Sequence, residues 1–268
     1  MSVNIGFIGA GNMGGALIRG ISKGNAEKKY RIFAYDINSK AMDRLAAETG
    51  ITLCSNNIEL VKASDIVFLA VKPQYAKTVL EEIKDVLGSR ILVSIIVGLP
   101  ISWYKAVLGE KARVVRTMPN TPALVGEGMT LVCFDGSLSP SEKECIMELF
   151  SYSGKAEELE EGLMSEVTAL TSSSPAYVFM FIEAMADAAV KSGIPRDKAY
   201  RLAAQAVLGS AKMVLETGKH PAELKDMVCS PAGTTIEAVA ELEKSGFRGA
   251  IIRAMGECTR RAREISKQ

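Results

Sequence analysis

Histidine is nearly absent from this chain, whose 268 residues include only His220. One histidine cannot build a histidine-based metal site, and Ser-His-Asp hydrolases and dehydrogenases that use a histidine base fit this composition poorly. The five cysteines are widely spaced and contain no Cys-x-x-Cys pair. Neither a disulfide framework nor a structural zinc site is therefore expected, and we expect no metal cofactor.

An excess of one charge and long apolar runs are also missing. The 32 basic and 31 acidic residues leave a net charge of +1, which gives no reason to expect nucleic acid or an anionic membrane as a partner. The longest apolar run, residues 91–101, is interrupted by Ser94, Gly98 and Pro100, so it is too short to span a bilayer. The N-terminal run lacks the basic start and cleavage site of a signal peptide. We expect a cytoplasmic protein without a membrane partner.

The first 160 residues alternate between short β-branched apolar runs and amphipathic helical patterns. Strands are predicted at residues 3–8, 31–35, 52–54, 65–71, 91–97, 114–116, 129–134 and 155–159, and the main helices at residues 12–24, 39–48, 73–87 and 139–154. The run at residues 65–71 is continuously apolar, as expected for a parallel strand that is covered on both faces. The pattern predicts an α/β fold, with a doubly wound parallel sheet of the Rossmann type at residues 1–160.

Residues 161–268 contain no convincing strand and show alanine-rich helical periodicity. Ala184 and Ala188, for example, lie among Phe181 and Met185. Small residues at this spacing let helices approach closely, but a helical domain of this size cannot easily bury so many apolar faces by itself. The pattern predicts an all-α domain at residues 161–268 that forms a homodimer.

A glycine-rich turn follows the first predicted strand and opens the first predicted helix. Gly9, Gly11 and Gly14 fit G-x-G-x-x-G, in which the glycines allow a tight turn, approach of a pyrophosphate and close packing of helix on strand. The alternative is a glycine turn with a structural role only. The full strand–turn–helix context favours a nicotinamide dinucleotide site and an oxidoreductase, with candidate cofactor residues Gly9, Ala10, Gly11, Asn12, Met13 and Gly14.

Asp36 ends the second predicted strand, 22 residues after Gly14. A carboxylate at this position accepts hydrogen bonds from ribose hydroxyls and repels a 2′-phosphate, so it favours NADH over NADPH. Asn38 and Lys40 lie close by and leave NADPH open as the alternative. A purely local role in capping the next turn is also open for Asp36.

Ligands of doubly wound sheets bind at the carboxyl ends of the strands. Residues 70–73 and 97–98 fall at such ends, as does the segment at residues 118–122. The candidate cofactor contacts here are Ala70, Val71, Lys72, Pro73, Val97 and Gly98. An ordinary solvated charge is the alternative for Lys72.

The segment at residues 224–237 is the most distinctive part of the second half. Thr234 and Glu237 have the spacing of a capping box, which predicts a helix start with unpaired N–H groups and two adjacent hydroxyls. Such a start can bind a small anion beside a hydroxyl donor. A capped helix that binds nothing is the alternative.

Five segments together resemble pyrroline-5-carboxylate reductase, the last enzyme of proline biosynthesis, along essentially the whole chain. They read GFIGAGNMG at residues 6–14, FLAVKP at 68–73, RTMPNTP at 116–122, SSSPAY at 172–177 and SPAGTTIEAV at 230–239. The resemblance implies NADH or NADPH as cofactor, reduction of the cyclic imine of Δ1-pyrroline-5-carboxylate, and an intertwined dimer that can assemble into larger rings. It also implies an active site between the cofactor domain and the dimer-forming helices.

The resemblance also implies roles for individual residues. Thr235 matches the catalytic threonine that hydrogen-bonds the ring nitrogen. The other implied substrate residues are Ser230, Gly233 and Thr234, which match the loop around the carboxylate, and Glu161, which matches an acidic residue near the ring. Asn57 and residues 70–73 match cofactor contacts.

Two positions depart from the family pattern. Serines replace glycines in the segment at residues 172–174, which predicts backbone strain if those glycines have positive φ. Ala232 replaces a glycine, and we expect little effect from that change.

Two other functions stay open at this point. A β-hydroxyacid dehydrogenase is one, although residues 172–190 lack the catalytic lysine of that class. The other is a non-catalytic dinucleotide sensor, for which the serines are the only indication.

Overall fold

The computed structural model describes residues 2–266, which form two compact units. Unit 1 contains the chain up to Ser172 together with the residues from Thr259 onward, and unit 2 contains Ser173–Cys258. Unit 1 therefore includes the last turns of the final helix as well as the N-terminal half. Within the described residues, no helix combines the length and apolar character needed to cross a bilayer.

Unit 1 is built on one eight-stranded sheet. Its strands are β1 (Val3–Ile8), β2 (Tyr30–Tyr35), β3 (Thr52–Leu53), β4 (Ile66–Leu69), β5 (Ile91–Ser94), β6 (Arg113–Met118), β7 (Gly128–Phe134) and β8 (Gly154–Glu158). The strand order is β3-β2-β1-β4-β5-β6-β7-β8, so β1 pairs in parallel with both β2 and β4. The direction of winding reverses between β1 and β4, where doubly wound sheets bind their ligands.

Helices connect the strands of unit 1. They are α1 (Asn12–Gly24), α2 (Ser39–Thr49), α3 (Asn57–Ala63), α4 (Pro73–Leu87), α5 (Ile101–Leu108), α6 (Pro140–Ser151) and the short α7 (Met164–Val167). The sequence pattern anticipates the longer helices but not α3 and α5, each of eight residues or fewer. The predicted α/β class with an N-terminal doubly wound sheet is confirmed.

The core of unit 1 lies on both faces of the sheet. All residues of β4 and β5 are buried, which explains why these strands are apolar apart from Ser94 at the end of β5. Phe7 and Phe68 stack on one face with ring centroids 4.5 Å apart, while Tyr104 and Leu80 belong to the apolar cluster on the other. Two covered faces are what a parallel sheet needs.

Two neighbouring strands, β7 and β8, run against the other six. β7 pairs antiparallel with β6 and parallel with β8, whereas the sequence pattern predicts a parallel sheet throughout. Only a 3-10 turn at Thr121–Val125 connects β6 to β7. That connection is too short for the crossover that a parallel pair requires, so the chain must double back.

Unit 2 consists of helices, as the sequence predicts. They are α8 (Ser174–Lys191), α9 (Arg196–Thr217), α10 (Pro221–Val228), α11 (Thr234–Lys244) and the greater part of α12 (Phe247–Ile265). α8 and α9 pack on each other, and their buried residues are the alanines Ala186, Ala199 and Ala203. Small residues at the contact allow the close approach that the periodicity indicates.

Large apolar side chains of unit 2 face outward in the single chain. They include Phe179, Met180, Leu215 and Ile252, whose exposed fractions run from 60 to 83%. An apolar surface this extensive is typical of a face that a partner protein covers.

A short segment connects β8 to unit 2. It spans residues 161–172 and is called the connecting segment here; it contains α7 and a π-helical turn at Thr168–Ser172. The end of α12 is bonded to it: Arg263 donates two hydrogen bonds to Glu166, at 2.8 and 2.7 Å, and the hydroxyls of Ser165 and Ser266 lie 3.1 Å apart. Unit 1 thus contains both the connecting segment, where the chain leaves it, and the end of α12, where the chain returns.

The start of α6 has the capping box that the sequence predicts. Ser139 is the N-cap, and Glu142 accepts hydrogen bonds from the Ser139 backbone N–H and from Arg113, at 2.8 and 2.6 Å. The Arg113 hydrogen bond, together with the cap, lowers the pKa of Glu142 from 4.5 to about 2. Because the folded pKa lies below the unfolded value, the stabilisation is present above pH 4.5 and is lost as the pH falls towards 2.

Replacing Glu142 tests this cap. We expect Glu142→Gln to lower the free energy of unfolding at pH 7 by about 1 kcal/mol, the usual contribution of a cap. Between pH 4.5 and 2 the loss of stability should be smaller in the variant than in the parent chain. Urea unfolding across this pH range measures both, with Glu144→Gln on the exposed side of α6 as control. Equal pH dependence in the two variants would contradict the assignment.

Candidate active site

The glycine turn joins β1 to α1 through contacts that only glycine permits. Gly9 has φ +93°, and a Cβ there would lie 2.7 Å from the carbonyl oxygen of Ala70. A Cβ on Gly14 would lie 2.6 Å from the carbonyl oxygen of Gly9. α1 therefore packs directly against the ends of β1 and β4, as a dinucleotide turn requires.

Gly11 serves a different purpose from its neighbours. A Cβ there would meet no protein atom within 4 Å, so the protein itself does not demand glycine at this position. Gly11 is the N-cap of α1, which has no side-chain cap and no acidic residue in its first turn. Open space before a bare helix N-terminus fits a pyrophosphate group.

A second bare helix start lies next to the first. β4 ends beside β1, and residues 70–73 lead from it into α4, whose N-cap Lys72 is exposed and makes no side-chain cap. Pro73 occupies the first turn, where its missing N–H costs nothing. The structure therefore brings residues 9–14 and 70–73 together at the point where the sheet reverses direction.

Asp36 is bonded to the glycine turn. One carboxylate oxygen accepts from the backbone N–H of Ala10 at 2.8 Å, and the other accepts from Asn38 at 2.9 Å. The Asn38 contact is the local turn role that the sequence leaves open, and the Ala10 contact is an additional one. Each oxygen keeps a lone pair that a ribose hydroxyl could use.

Asn57 is not in this group of contacts. It is 7% exposed at the start of α3, and its amide nitrogen donates to Glu82 at 2.8 Å. Its carbonyl oxygen is buried and has no partner within residues 2–266. An unpaired buried acceptor is one that a bound ligand or water would satisfy.

The end of β5 is fixed by a buried polar network. The hydroxyls of Ser94 and Tyr104 lie 2.6 Å apart, and Thr117 donates to the Ser94 carbonyl at 2.9 Å. Burial raises the pKa of Tyr104 to about 12, so its hydroxyl stays protonated. The network holds the strand just before Val97, which is 48% exposed, and Gly98, which has φ +93°.

The loop before α11 contains the candidate substrate residues of unit 2. Gly233 donates to the carbonyl of Ser230 at 3.0 Å, and a Cβ on Gly233 would lie 2.2 Å from the Ser230 hydroxyl oxygen. A side chain at position 233 would therefore displace the Ser230 hydroxyl from this position. Ser230 and Thr234 are exposed, while Thr235 is half-buried in the first turn of α11.

The predicted capping box at Thr234 and Glu237 is wrong. The N-cap of α11 is Gly233, which lies one residue earlier and has no side chain to cap the helix. Thr234 lies inside the helix, so its hydroxyl is not placed to bond the third backbone N–H. Within residues 2–266 no side-chain cap is found at the start of α11, so its first N–H groups are available to an anion.

Glu161 lies in unit 1, apart in sequence from the other candidate substrate residues. Its Oε1 atom accepts from the backbone N–H of Ile101 at 2.7 Å, at the start of α5, and from the Arg116 guanidinium at 3.1 Å. Sequence reasoning missed Arg116. The available signal was a charge inside the apolar run of β6, since such a charge needs a buried partner.

The two departures from the family pattern have opposite outcomes. None of residues 172–174 has positive φ, and Ser173 has φ −96°, so the serines cause no backbone strain. Ala232 has φ +53°, in the left-handed region, which the sequence pattern does not predict. An L-residue with a Cβ pays about 1–2 kcal/mol in that conformation.

Glycine at position 232 should therefore stabilise the loop. We expect Ala232→Gly to raise the free energy of unfolding by about 0.5 kcal/mol, since relief of strain exceeds the added entropy of the unfolded chain. Ala238→Gly, in the interior of α11, is the matched control and should lower stability by about 1 kcal/mol. Thermal and urea unfolding compare the two, and a loss of stability in both would show that position 232 is unstrained.

Comparisons with known proteins agree with this architecture. Residues 4–98 match the family model described as NADP oxidoreductase, coenzyme F420-dependent, and residues 161–265 match the one described as pyrroline-5-carboxylate reductase dimerisation. Pyrroline-5-carboxylate reductase of Escherichia coli K12 is 46% identical over 268 residues, and the match covers all of both chains.

Solved structures give the same result. The pyrroline-5-carboxylate reductase of Coxiella burnetii has a TM-score of 0.92 and 32% identity, and the match covers all of both chains. The pyrroline carboxylate reductase of Plasmodium falciparum, solved with NADP bound, has a TM-score of 0.87 and 34% identity over 98% of each chain. The resemblance noted from the five sequence segments is thus confirmed, and the chain belongs to the pyrroline-5-carboxylate reductase family, a family of NAD(P)-dependent oxidoreductases.

Proposed function

We propose that the protein reduces the cyclic imine of Δ1-pyrroline-5-carboxylate to L-proline with NADH or NADPH. The observation that carries the proposal is the bare N-terminal turn of α11 at Gly233, followed by two threonine hydroxyls. A helix N-terminus suits the substrate carboxylate, and a neighbouring hydroxyl suits the ring nitrogen. The full-length similarity to enzymes of this name supports the assignment.

Residues of unit 1 are proposed to hold the dinucleotide. The start of α1 would receive the pyrophosphate, Asp36 the ribose, and the ends of β4 and β5 the nicotinamide half. The unpaired carbonyl oxygen of Asn57 would accept a further hydrogen bond. The proposed cofactor residues are Gly9, Ala10, Gly11, Asn12, Met13, Gly14, Asp36, Asn57, Ala70, Val71, Lys72, Pro73, Val97 and Gly98.

Residues on the α11 loop are proposed to hold the substrate. Ser230, Gly233 and Thr234 would bind its carboxylate through backbone N–H groups and hydroxyls. Thr235 would hydrogen-bond the ring nitrogen and so fix which face of the imine is presented. Glu161, a carboxylate, would favour the protonated and therefore more electrophilic imine.

The chemistry needs few protein groups. A bound dihydronicotinamide would supply the hydride for the C=N carbon, and the nitrogen would keep the proton that it takes up. The residues above therefore orient the imine, with the reacting carbon within about 3–3.5 Å of the hydride donor, and stabilise positive charge on nitrogen.

We propose NADH as the preferred cofactor, because the Asp36 carboxylate repels a 2′-phosphate. The Plasmodium structure with NADP bound shows that a relative accepts the phosphorylated form, so this preference would distinguish the present chain. The charge of Asp36 supports NADH, and its bond to Ala10 fixes that charge beside the glycine turn.

The assembly and domain roles follow the same reasoning. The dimerisation family match supports a homo-oligomer. We propose a homodimer built by the exposed apolar helices of unit 2, assembled further into a ring of dimers. We also propose that residues 1–160 bind the dinucleotide, that residues 161–268 bind substrate and dimerise, and that the enzyme acts in the cytoplasm.

One assay separates the proposal from its rivals. Oxidation of NADH and NADPH is measured with Δ1-pyrroline-5-carboxylate. The reverse reaction, reduction of NAD⁺ and NADP⁺, is measured with a panel of 3-hydroxy acids. Turnover with the imine alone supports the proposal, and turnover with a hydroxy acid supports a β-hydroxyacid dehydrogenase. Dinucleotide binding without any turnover would support a sensor, although the unstrained serines at residues 172–174 remove the sequence argument for one.

Thr235→Ala tests the substrate role. We expect kcat to fall about 10²-fold or more, because the ring nitrogen loses its hydrogen bond during proton uptake. The dissociation constant of NADH should stay within about twofold of the parent value, since no cofactor contact changes. Thr235→Ser keeps the hydroxyl and is the control that should retain most activity. Unchanged turnover in Thr235→Ala would show that Thr235 does not assist the reaction at the ring nitrogen.

Asp36→Asn tests the cofactor preference. The amide keeps an oxygen for the Ala10 N–H but removes the negative charge. We expect the ratio of kcat/KM for NADPH to that for NADH to rise about tenfold, which corresponds to about 1.4 kcal/mol. Steady-state kinetics with both cofactors measure the ratio, and a ratio that does not move would mean that Asp36 does not discriminate.

A further inference from the structure

Side chains at alternate positions in the second half of β6 and just beyond its end contact the connecting segment. Residues 116, 118 and 120 lie two apart, so they share one face of the extended chain. The Arg116 guanidinium lies 3.1 Å from Glu161, and the Met118 sulfur accepts from the Thr168 hydroxyl at 3.5 Å. The Asn120 amide donates to the Thr171 carbonyl at 2.9 Å. One strand face therefore fixes the connecting segment at three points.

Arg116 is the unusual member of this face. It is 8% exposed, and the Glu161 carboxylate is the acidic partner that the described residues give it. The electrostatic attraction of a buried guanidinium and carboxylate barely exceeds the free energy needed to remove both groups from water. An apolar pair of similar size often gives equal stability. The pair is therefore better explained by the orientation that it imposes than by stability.

The orientation concerns a single carboxylate oxygen. Both hydrogen bonds of Glu161, from Arg116 and from the Ile101 backbone, engage Oε1. Two donors on one oxygen hold the carboxylate plane and leave Oε2 as the oxygen for a ligand. The Glu161 side chain is 35% exposed, so a ligand can reach it.

We propose that Arg116 is a positioning residue for the reduction, acting through Glu161. It holds the carboxylate turned so that Oε2 can stabilise the positive charge of the protonated imine. This inference rests on the proposed function, in which Glu161 binds the substrate. Arg116 itself is expected to touch neither substrate nor cofactor.

The chain offers a matched control on the same strand. Arg113 also pairs with a glutamate, Glu142, at 2.6 Å, but it lies at the opposite end of β6 and away from the connecting segment. Arg116→Met and Arg113→Met each remove one guanidinium and keep a side chain of similar length. Thermal unfolding and circular dichroism of both proteins establish that they fold.

We expect the two variants to differ in kinetics. Arg116→Met should lower kcat/KM for Δ1-pyrroline-5-carboxylate about tenfold, as for loss of one hydrogen bond to a charged group, with NADH affinity within about twofold. Arg113→Met should leave both quantities unchanged, whatever it does to stability. Arg116→Lys, which keeps the charge, should recover part of the loss. If Arg116→Met behaves like Arg113→Met, the proposal is wrong.

A double-mutant cycle tests whether Arg116 acts through Glu161. In a Glu161→Gln background, Arg116→Met should cause little further loss of kcat/KM, because the group that it positions is already altered. An undiminished tenfold loss in that background would show that Arg116 acts by another route and would overturn the proposal.

Failure of the proposed function has a different signature. The parent chain would then oxidise no NADH or NADPH with the imine, whatever the variants do. The positioning of Glu161 can still be measured by amide hydrogen exchange across residues 161–172. Exchange should be faster in Arg116→Met than in Arg113→Met, and equal exchange would overturn the inference independently of turnover.

Discussion

The close approach of α1 to the ends of β1 and β4 is the constraint on which the candidate cofactor site depends. Gly9 and Gly14 remove the side chains that would separate helix from strands, and a Cβ at either position would lie within 2.7 Å of a backbone oxygen. Because the helix starts so close to the sheet, its N–H groups point into the space where the winding of the sheet reverses. Asp36 and the uncapped start of α4 lie beside this space, which makes them candidate cofactor contacts.

Polar contacts at the strand ends keep this arrangement rigid. Asp36 bonds the glycine turn, and the network around Ser94 and Tyr104 holds the end of β5. Arg116 in β6 and Asn120 just after it bond the connecting segment. The central strands β4 and β5 are buried along their whole length. Polar contacts therefore set the conformation of the chain where it leaves the sheet, and the packed core keeps the strand ends in place.

The sequence predicts most of the fold because periodicity and glycine chemistry are local properties. Unbroken apolar runs such as β4 and the Ser139 cap need no knowledge of distant residues. The misses concern long-range or conformational facts. The Arg116–Glu161 pair joins residues 45 apart. The N-cap of α11 is Gly233, and the residue before it, Ala232, has a left-handed conformation. The charge within β6 indicates that Arg116 needs a partner, but no pattern of residue types names Glu161 as that partner or specifies the conformation of Ala232. The roles of the individual site residues stay predictions.

The return of α12 to unit 1 limits how the protein can be dissected. A fragment ending at Ser172 would lack Arg263 and Ser266, and so would leave Glu166 and Ser165 without the contacts described above. A fragment that begins at Ser173 would carry an α12 whose last turns have lost their neighbours. Deletion of the last ten residues would remove the contacts of Arg263 and Ser266 with the connecting segment. A tag or fusion is therefore better added at the N-terminus than used to replace the last turn of α12.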